Sequence, residues 1–246
     1  MIIEQSEWRR GWKVLIGASV GTAISYGLFL MTAGLFIIPM QEEFGWSRSA
    51  VSIGPIVGLL AAAMAPFGGV VIDRFGARPI AITGLVGLGA MYVLLSFTPA
   101  SQFYLYAVVA IMAVFATISS GVIYCAGVVT WFRRNSGLAI GITMSGLSLT
   151  AALAIPALAS LIENYGWRMG YLALCAVTWV IGLPFVVGWF HEASQPAGSG
   201  QSTEAEKAGE SATISRKGGM DFRTAARDKR FWLCIAAFGT VVWGFR

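Results

Sequence analysis

The sequence predicts an all-α membrane protein with six spanning helices and the start of a seventh. Three observations carry that reading. Of the 246 residues, 57% are hydrophobic and only 12% charged, where soluble domains run near a quarter charged. Mean hydropathy is +0.72 over the whole chain, which leaves no room for a large soluble domain to dilute the apolar residues. Apolar runs of roughly twenty residues, the length that crosses a bilayer, recur between short polar loops.

Taken in order, residues 1–10 are polar and end in Arg9-Arg10, a short cytoplasmic N-terminus. A first span runs from about Gly11 to Met40, too long for a signal-peptide core and without a cleavage site. In it, Gly17 and Gly21 form a G-x-x-x-G pair that lets another helix approach closely. The loop at 41–48 leads to a second span, about Ser49 to Ile72, in which Gly54-Pro55 and Pro66 predict bends. The third span runs from about Pro79 to Phe97 and the fourth from about Phe103 to Phe132. After Arg133-Arg134-Asn135 comes the fifth, about Ser136 to Ile162, and after Tyr165-Gly-Trp-Arg168 the sixth, about Met169 to Phe190. Residues 11–190 thus read as one six-helix bundle.

Residues 191–229 are rich in Ser, Gly, Glu, Ala and Lys, and read as a cytoplasmic linker, disordered at first and basic towards its end. A seventh apolar run opens at Arg230-Phe-Trp232 and stops at Arg246, short of a full crossing. It is expected to be a helix cut within its length. Cys125, Cys175 and Cys234 fall inside apolar runs with no C-x-x-C spacing, and read as small buried residues. His191, the only histidine, ends a span and reads as interfacial.

Orientation follows from the cations. Of 17 Lys and Arg, all but Arg48, Arg168 and the terminal Arg246 fall on the face shared by the N-terminus and the 191–230 linker. That asymmetry places the N-terminus in the cytoplasm. The net charge of +5 therefore belongs to membrane loops, and no nucleic-acid partner is expected.

Between the second and third spans, Asp73, Arg74 and Arg78 arrive within six positions. Charges this dense between apolar runs mark a tight turn at a membrane face. Gly76 is placed to supply the positive φ of such a turn, and Pro79 suits the first turn of the next helix. The stretch resembles the signature loop of the major facilitator superfamily, G-x-x-x-D-R-x-G-R-R/K. Gly69, Asp73, Arg74, Gly76 and Arg78 match it, and Ala77 stands where a basic residue is usual. The resemblance implies the six-helix N-terminal half of a two-halved carrier, with a C-terminal six-helix half as its partner. It also implies a gate in which this loop holds the halves together on the cytoplasmic side.

A second set of motifs narrows the resemblance. Gly11-Trp12, Phe44-Gly-Trp-Ser-Arg48, Gly121-x-x-Tyr124, Trp131-Phe-Arg-Arg134, Gly137-Leu-Ala-x-Gly141, Ser145-Gly146, Pro156 and Tyr165-Gly-Trp-Arg168 occur in order. As a set they are similar to the monocarboxylate transporter and oxalate–formate exchanger branch. That implies secondary transport of a small organic anion by alternating access, with a proton as the coupling ion. Leu30 departs from the pattern, standing where animal monocarboxylate transporters carry a lysine.

Between Val14 and Phe190, no Asp, Glu, Lys or Arg lies inside a span. A substrate is therefore offered hydroxyls, aromatic edges and backbone dipoles, and any countercharge is expected from the other half. The substrate-binding candidates are Tyr26 on the first span and Thr117, Ser120 and Tyr124 on the fourth, where three-to-four spacing puts the last three on one helix face. Ser25 and Thr32 are further polar positions; hydroxyls of this kind also bond back to their own helix. There is no Walker loop, no nucleophile–histidine arrangement and no metal or cofactor spacing, so neither an enzyme nor an ATP-driven pump is expected. Two other readings stand beside the carrier of organic anions: a transport-inactive half-carrier, and a facilitator of an unrelated solute.

Overall fold

The computed structural model describes residues 2–132 and 135–191, apart from the side chains of 2–7, 10, 54, 55, 66, 67, 69, 70 and 73. The expected linker and seventh helix, Cys234 and Arg133-Arg134 lie outside the described residues. Within them every regular element is helical.

The first span is not one helix. α1 (Ile2–Ala23) starts within the residues read as a polar N-terminus and ends where Ile24 and Ser25 break the ladder. α2 (Tyr26–Thr32), a 3-10 turn (Ala33–Phe36) and α3 (Ile37–Phe44) complete the span. Ser25 makes the break workable: its hydroxyl accepts from Gly27 N at 3.4 Å and donates to Thr22 O at 2.7 Å. A serine at such a cap satisfies backbone groups that hydrocarbon would leave bare.

α4 (Arg48–Val51) leads to α5 (Ile53–Phe75), the second span, which stays helical through Pro55 and Pro66. Pro55 falls in the first turn, where its missing N–H costs no helical bond. α6 (Ala77–Ser96) is the third span. The fourth is broken into α7 (Gln102–Ile118) and α8 (Gly121–Val129) by Ser119 and Ser120. α9 (Ser136–Tyr165) is the fifth, unbroken across Pro156. α10 (Trp167–Ala176), a π-helical segment (Val177–Gly182) and α11 (Leu183–Trp189) form the sixth. Five spans are long and apolar enough to cross a membrane: Gly11–Phe44, Ala77–Ser96, Gln102–Val129, Ser136–Tyr165 and Trp167–Trp189. The remaining one, α5, has 23 residues, about 34 Å of helix.

α1 packs along α9 and α11, α5 along α7, and α6 between α7 and α10. The interior forms two apolar clusters. One, around Phe29, Phe36, Leu88, Tyr92 and Tyr171, fills the end of the bundle opposite the N-terminus. The other, around Val14, Leu85, Tyr124, Phe132 and Phe190, fills the N-terminal end. Gly17 and Gly21 admit two different neighbours rather than one helix. A Cβ at Gly17 would stand 2.9 Å from Phe190 N, and at Gly21 it would meet the ring of Tyr124.

Three turns carry positive φ, at Gly45 (66°), Gly76 (83°) and Gly166 (85°). Gly76 and Gly166 also share ψ, 158° and 162°. That backbone region is essentially open to glycine alone. The two turns read Phe75-Gly76-Ala77-Arg78 and Tyr165-Gly166-Trp167-Arg168, one after the second span and one after the fifth, at opposite ends of the bundle. The same local chemistry thus recurs three spans later with inverted orientation, the signature of paired three-helix repeats.

Candidate functional site

A cavity of about 320 Å³ opens between α5, the α7–α8 junction and Tyr26 of α2. Its α5 wall is Gly58, Ala61, Ala62, Ala65, Gly68 and Ile72, a stripe at helical spacing. Small side chains leave the volume open there. A Cβ at Gly58 would lie 3.2 Å from the Tyr26 hydroxyl oxygen, and one at Gly68 would lie 3.0 Å from Thr117 Cγ2. The facing wall is Ala116, Thr117, Ser120, Val122 and Ile123. Among the described residues no charged side chain lines the space, and its polarity comes from three hydroxyls and the backbone at the α7–α8 break.

Three of the four expected contact residues, Tyr26, Thr117 and Ser120, line this one cavity. Thr117 is the most constrained, since its hydroxyl donates to Ala113 O at 2.9 Å and across to Ala61 O at 3.2 Å. It ties α7 to α5 as well as facing the space. Ser120 is half-buried at the start of α8 and forms no side-chain cap bond to its own helix.

Tyr124 is placed elsewhere, and the expectation of one shared face with Thr117 and Ser120 is corrected. That expectation assumed an unbroken helix, and the break at Ser119–Ser120 resets the register. Tyr124 is fully buried, edge-on to Phe190 at 5.3 Å and packed on Gly21. The α5 stripe of small residues is the part of the site that motif reading missed. Its signal was the run Gly58-Leu-Leu-Ala-Ala-Ala-Met-Ala65, unusually poor in bulk for a membrane helix.

At the N-terminal end of the bundle, Gly76 makes the sharp turn between α5 and α6, its N–H bonded to Ile72 O at 2.8 Å. Arg78 extends one guanidinium nitrogen to Val187 O at 2.7 Å, near the carboxyl end of α11. A cation at that position complements the helix dipole and pins the third span to the sixth. Arg74 is exposed, its guanidinium 5.4 Å from the Phe75 ring centre. Gly69 falls within α5, and the side chain of Asp73 lies outside the described residues.

The repeat-related turn at the opposite end holds a tighter set. Arg168 grips Glu43 with both nitrogens, at 2.7 and 2.8 Å, and Trp167 Nε1 donates to the same carboxylate at 2.6 Å. The guanidinium lies 4.3 Å over the Trp167 ring, and Phe44 stacks on Trp46 at 4.5 Å. The hydrogen bond from Arg168 holds the Glu43 carboxyl below the usual carboxylate range; desolvation opposes it, and the hydrogen bond from Trp167 adds to the lowering. Trp167 thus carries part of this clasp.

Comparison with known proteins agrees with the architecture. The family model described as Major Facilitator Superfamily matches residues 18–245. Mouse monocarboxylate transporter 11 is 32% identical over 178 residues, 68% of this chain and 37% of that protein. A Bacillus subtilis protein named as an uncharacterized MFS-type transporter, YcxA, is 28% identical over 187 residues, 73% of this chain and 44% of its own length. Rat monocarboxylate transporter 13 is 24% identical over 169 residues, 68% of this chain and 39% of that protein. The chain therefore spans less than half the length of these relatives. With a family match over nearly all of its residues, the chain belongs to the major facilitator superfamily.

Proposed function

We propose that this chain forms half of a secondary transporter that moves a small organic anion, such as a monocarboxylate, by alternating access. The 320 Å³ cavity carries the reading. It lies between the second span and the broken first and fourth spans, it is walled by small residues, and Tyr26, Thr117 and Ser120 bring hydroxyls to it. Pockets of this kind hold a small solute by shape and orient it by a few polar groups. The names of the monocarboxylate transporter relatives supply the substrate class.

In this reading a second six-helix half closes the cavity and supplies the countercharge that the described lining lacks. The signature loop, with Gly69, Asp73, Arg74, Gly76 and Arg78, works as the gate on the cytoplasmic side. The N-terminus lies in the cytoplasm, the bundle spans the inner membrane, and a proton travels with the anion.

The test is uptake of radiolabelled lactate, pyruvate, formate and oxalate by the natural protein in proteoliposomes. Uptake of at least one, faster with an acid-outside gradient, is the expected result. Uptake of none of the four removes the substrate class, and uptake indifferent to the gradient removes proton coupling.

A further inference from the structure

We propose that the cavity between α5 and the α7–α8 junction selects monocarboxylates with an apolar body, branched-chain or aromatic acids, over compact acids such as formate and over dicarboxylates such as oxalate. The inference rests on the transport reading above and adds which kind of acid the site prefers.

The layout of the lining carries it. The second and fourth spans run side by side in the same direction. The Tyr106 hydroxyl donates to Ala50 O at 3.2 Å near the start of both, and the Thr117 hydroxyl to Ala61 O at 3.2 Å further along. The hydroxyls of the wall belong to its earlier part. Tyr26 stands beside Gly58, Thr117 between Ala61 and Gly68, and Ser120 follows. Past Ser120 the described lining is alkyl alone: Ile72, one turn beyond Gly68, with Val122 and Ile123 of α8. The space therefore has a hydroxyl-bearing stretch and an apolar end.

Part of the polarity is already committed. The Thr117 hydrogen is taken by Ala113 O at 2.9 Å as well as by Ala61 O. Ser119 and Tyr124, the other hydroxyls near the break, are fully buried outside the lining. Val122, by contrast, lines the space and is 71% exposed, apolar surface that a solute can cover.

Size points the same way. A volume of about 320 Å³ is within the range of pockets that enclose much larger ligands than a three-carbon acid. The stripe from Gly58 to Ile72 runs about 21 Å along α5. Formate or lactate would leave most of this length to water, and an apolar body displaces that water at a gain proportional to the surface covered. In the transport reading the other half meets the single carboxylate, so this wall meets the rest of the molecule. A second carboxylate would face a wall with no cation among the described residues, which places oxalate worst.

The experiment measures KM for labelled acetate, butanoate, 3-phenylpropanoate and oxalate with the natural protein in proteoliposomes, after subtracting entry into protein-free liposomes. KM is expected to fall about fourfold from acetate to butanoate, half the full transfer effect of two CH2 groups because one side of the cavity is open. It should fall further for 3-phenylpropanoate, with oxalate the poorest of the four. Val122→Thr keeps the shape and puts a hydroxyl in place of a methyl at an exposed position. It should hold its melting temperature and raise KM for 3-phenylpropanoate about threefold relative to acetate. Ala65→Leu fills part of the space with an isobutyl group and should narrow the KM ratio between acetate and 3-phenylpropanoate. A KM that does not fall with apolar size, or a series unchanged in both variants, overturns the preference while the transport reading stands. Wild-type uptake of none of these acids, nor of lactate or pyruvate, overturns the transport reading itself and the preference with it.

Discussion

Two glycines show how single residues set the spacing of this bundle. At Gly84 a Cβ would stand 2.6 Å from Ile118 O and 3.0 Å from Ser119 N, both backbone atoms at the break in the fourth span. Backbone there cannot swing aside, so Gly84→Ala must push α6 from α7. At Gly89 a Cβ would meet the Trp179 ring, which is 39% exposed and held by one long bond from Nε1 to Val86 O at 3.3 Å. That ring has somewhere to go. Thermal unfolding in detergent is expected to show Gly84→Ala less stable than wild type by about 2 kcal/mol, the scale of an overpacked core, and Gly89→Ala affected less. Equal effects of the two would contradict the packing account. Thr117→Val removes the bond to Ala61 O that crosses from α7 to α5, and should cost about 1 kcal/mol in the same assay.

Among elements, the broken spans are the chief difference between what the sequence predicts and what forms. The six runs were legible from apolar content alone, because the bilayer imposes length and composition. The breaks at Ile24–Ser25 and Ser119–Ser120, and the π-helical segment at Val177–Gly182, were not. Helices apolar on every side have no polar face whose period would slip at a kink, and Ser and Thr in such helices bond back to the backbone whether or not a break is present. Thr32, Thr143 and Thr178 do so in the described structure. Tyr124 was misplaced for the same reason, while Tyr26 needed no register argument across a break.

The clasp between α3 and α10 gives this scale its pH prediction. The folded-state value of Glu43 is lowered, first by the hydrogen bond from Arg168. Its stabilisation is therefore complete above the ordinary glutamate value of about 4.3 and is lost as pH falls through the lowered folded-state value. Glu43→Gln is expected to lower the melting temperature at pH 7, with the difference from wild type shrinking in acid. The side chains are 39% and 45% exposed, so screening keeps the effect small. A difference that grows in acid would contradict the assignment.

At the scale of the whole molecule, the two aromatic-Gly-x-Arg turns are the clearest mark of the inverted repeat. Arg78 pins α6 to α11 at one end, and Arg168 pins α10 to α3 at the other. The repeat was written in the sequence as two four-residue matches, too short to stand out until the backbone angles of Gly76 and Gly166 showed the same turn. Orientation, by contrast, is expected from the charge count, which sets Arg48 and Arg168 apart from the cations of the N-terminus and the linker. In a background without native cysteines, Ser47→Cys is expected to react with a membrane-impermeant maleimide in intact cells. Gly137→Cys, where a Cβ meets nothing within 4 Å, should react only after the membrane is opened. The reverse pattern would turn the topology over.

The central claim is that the space between α5 and the α7–α8 junction is the path of the solute. It is tested most directly by filling that space and measuring organic-anion uptake in proteoliposomes. Ala62→Trp places an indole in the cavity, and Val180→Trp, at a position 72% exposed on the sixth span, serves as the matched control. The account predicts that both variants insert and unfold at temperatures close to wild type, and that only Ala62→Trp loses uptake. Uptake by Ala62→Trp at the wild-type rate would show that the solute passes elsewhere.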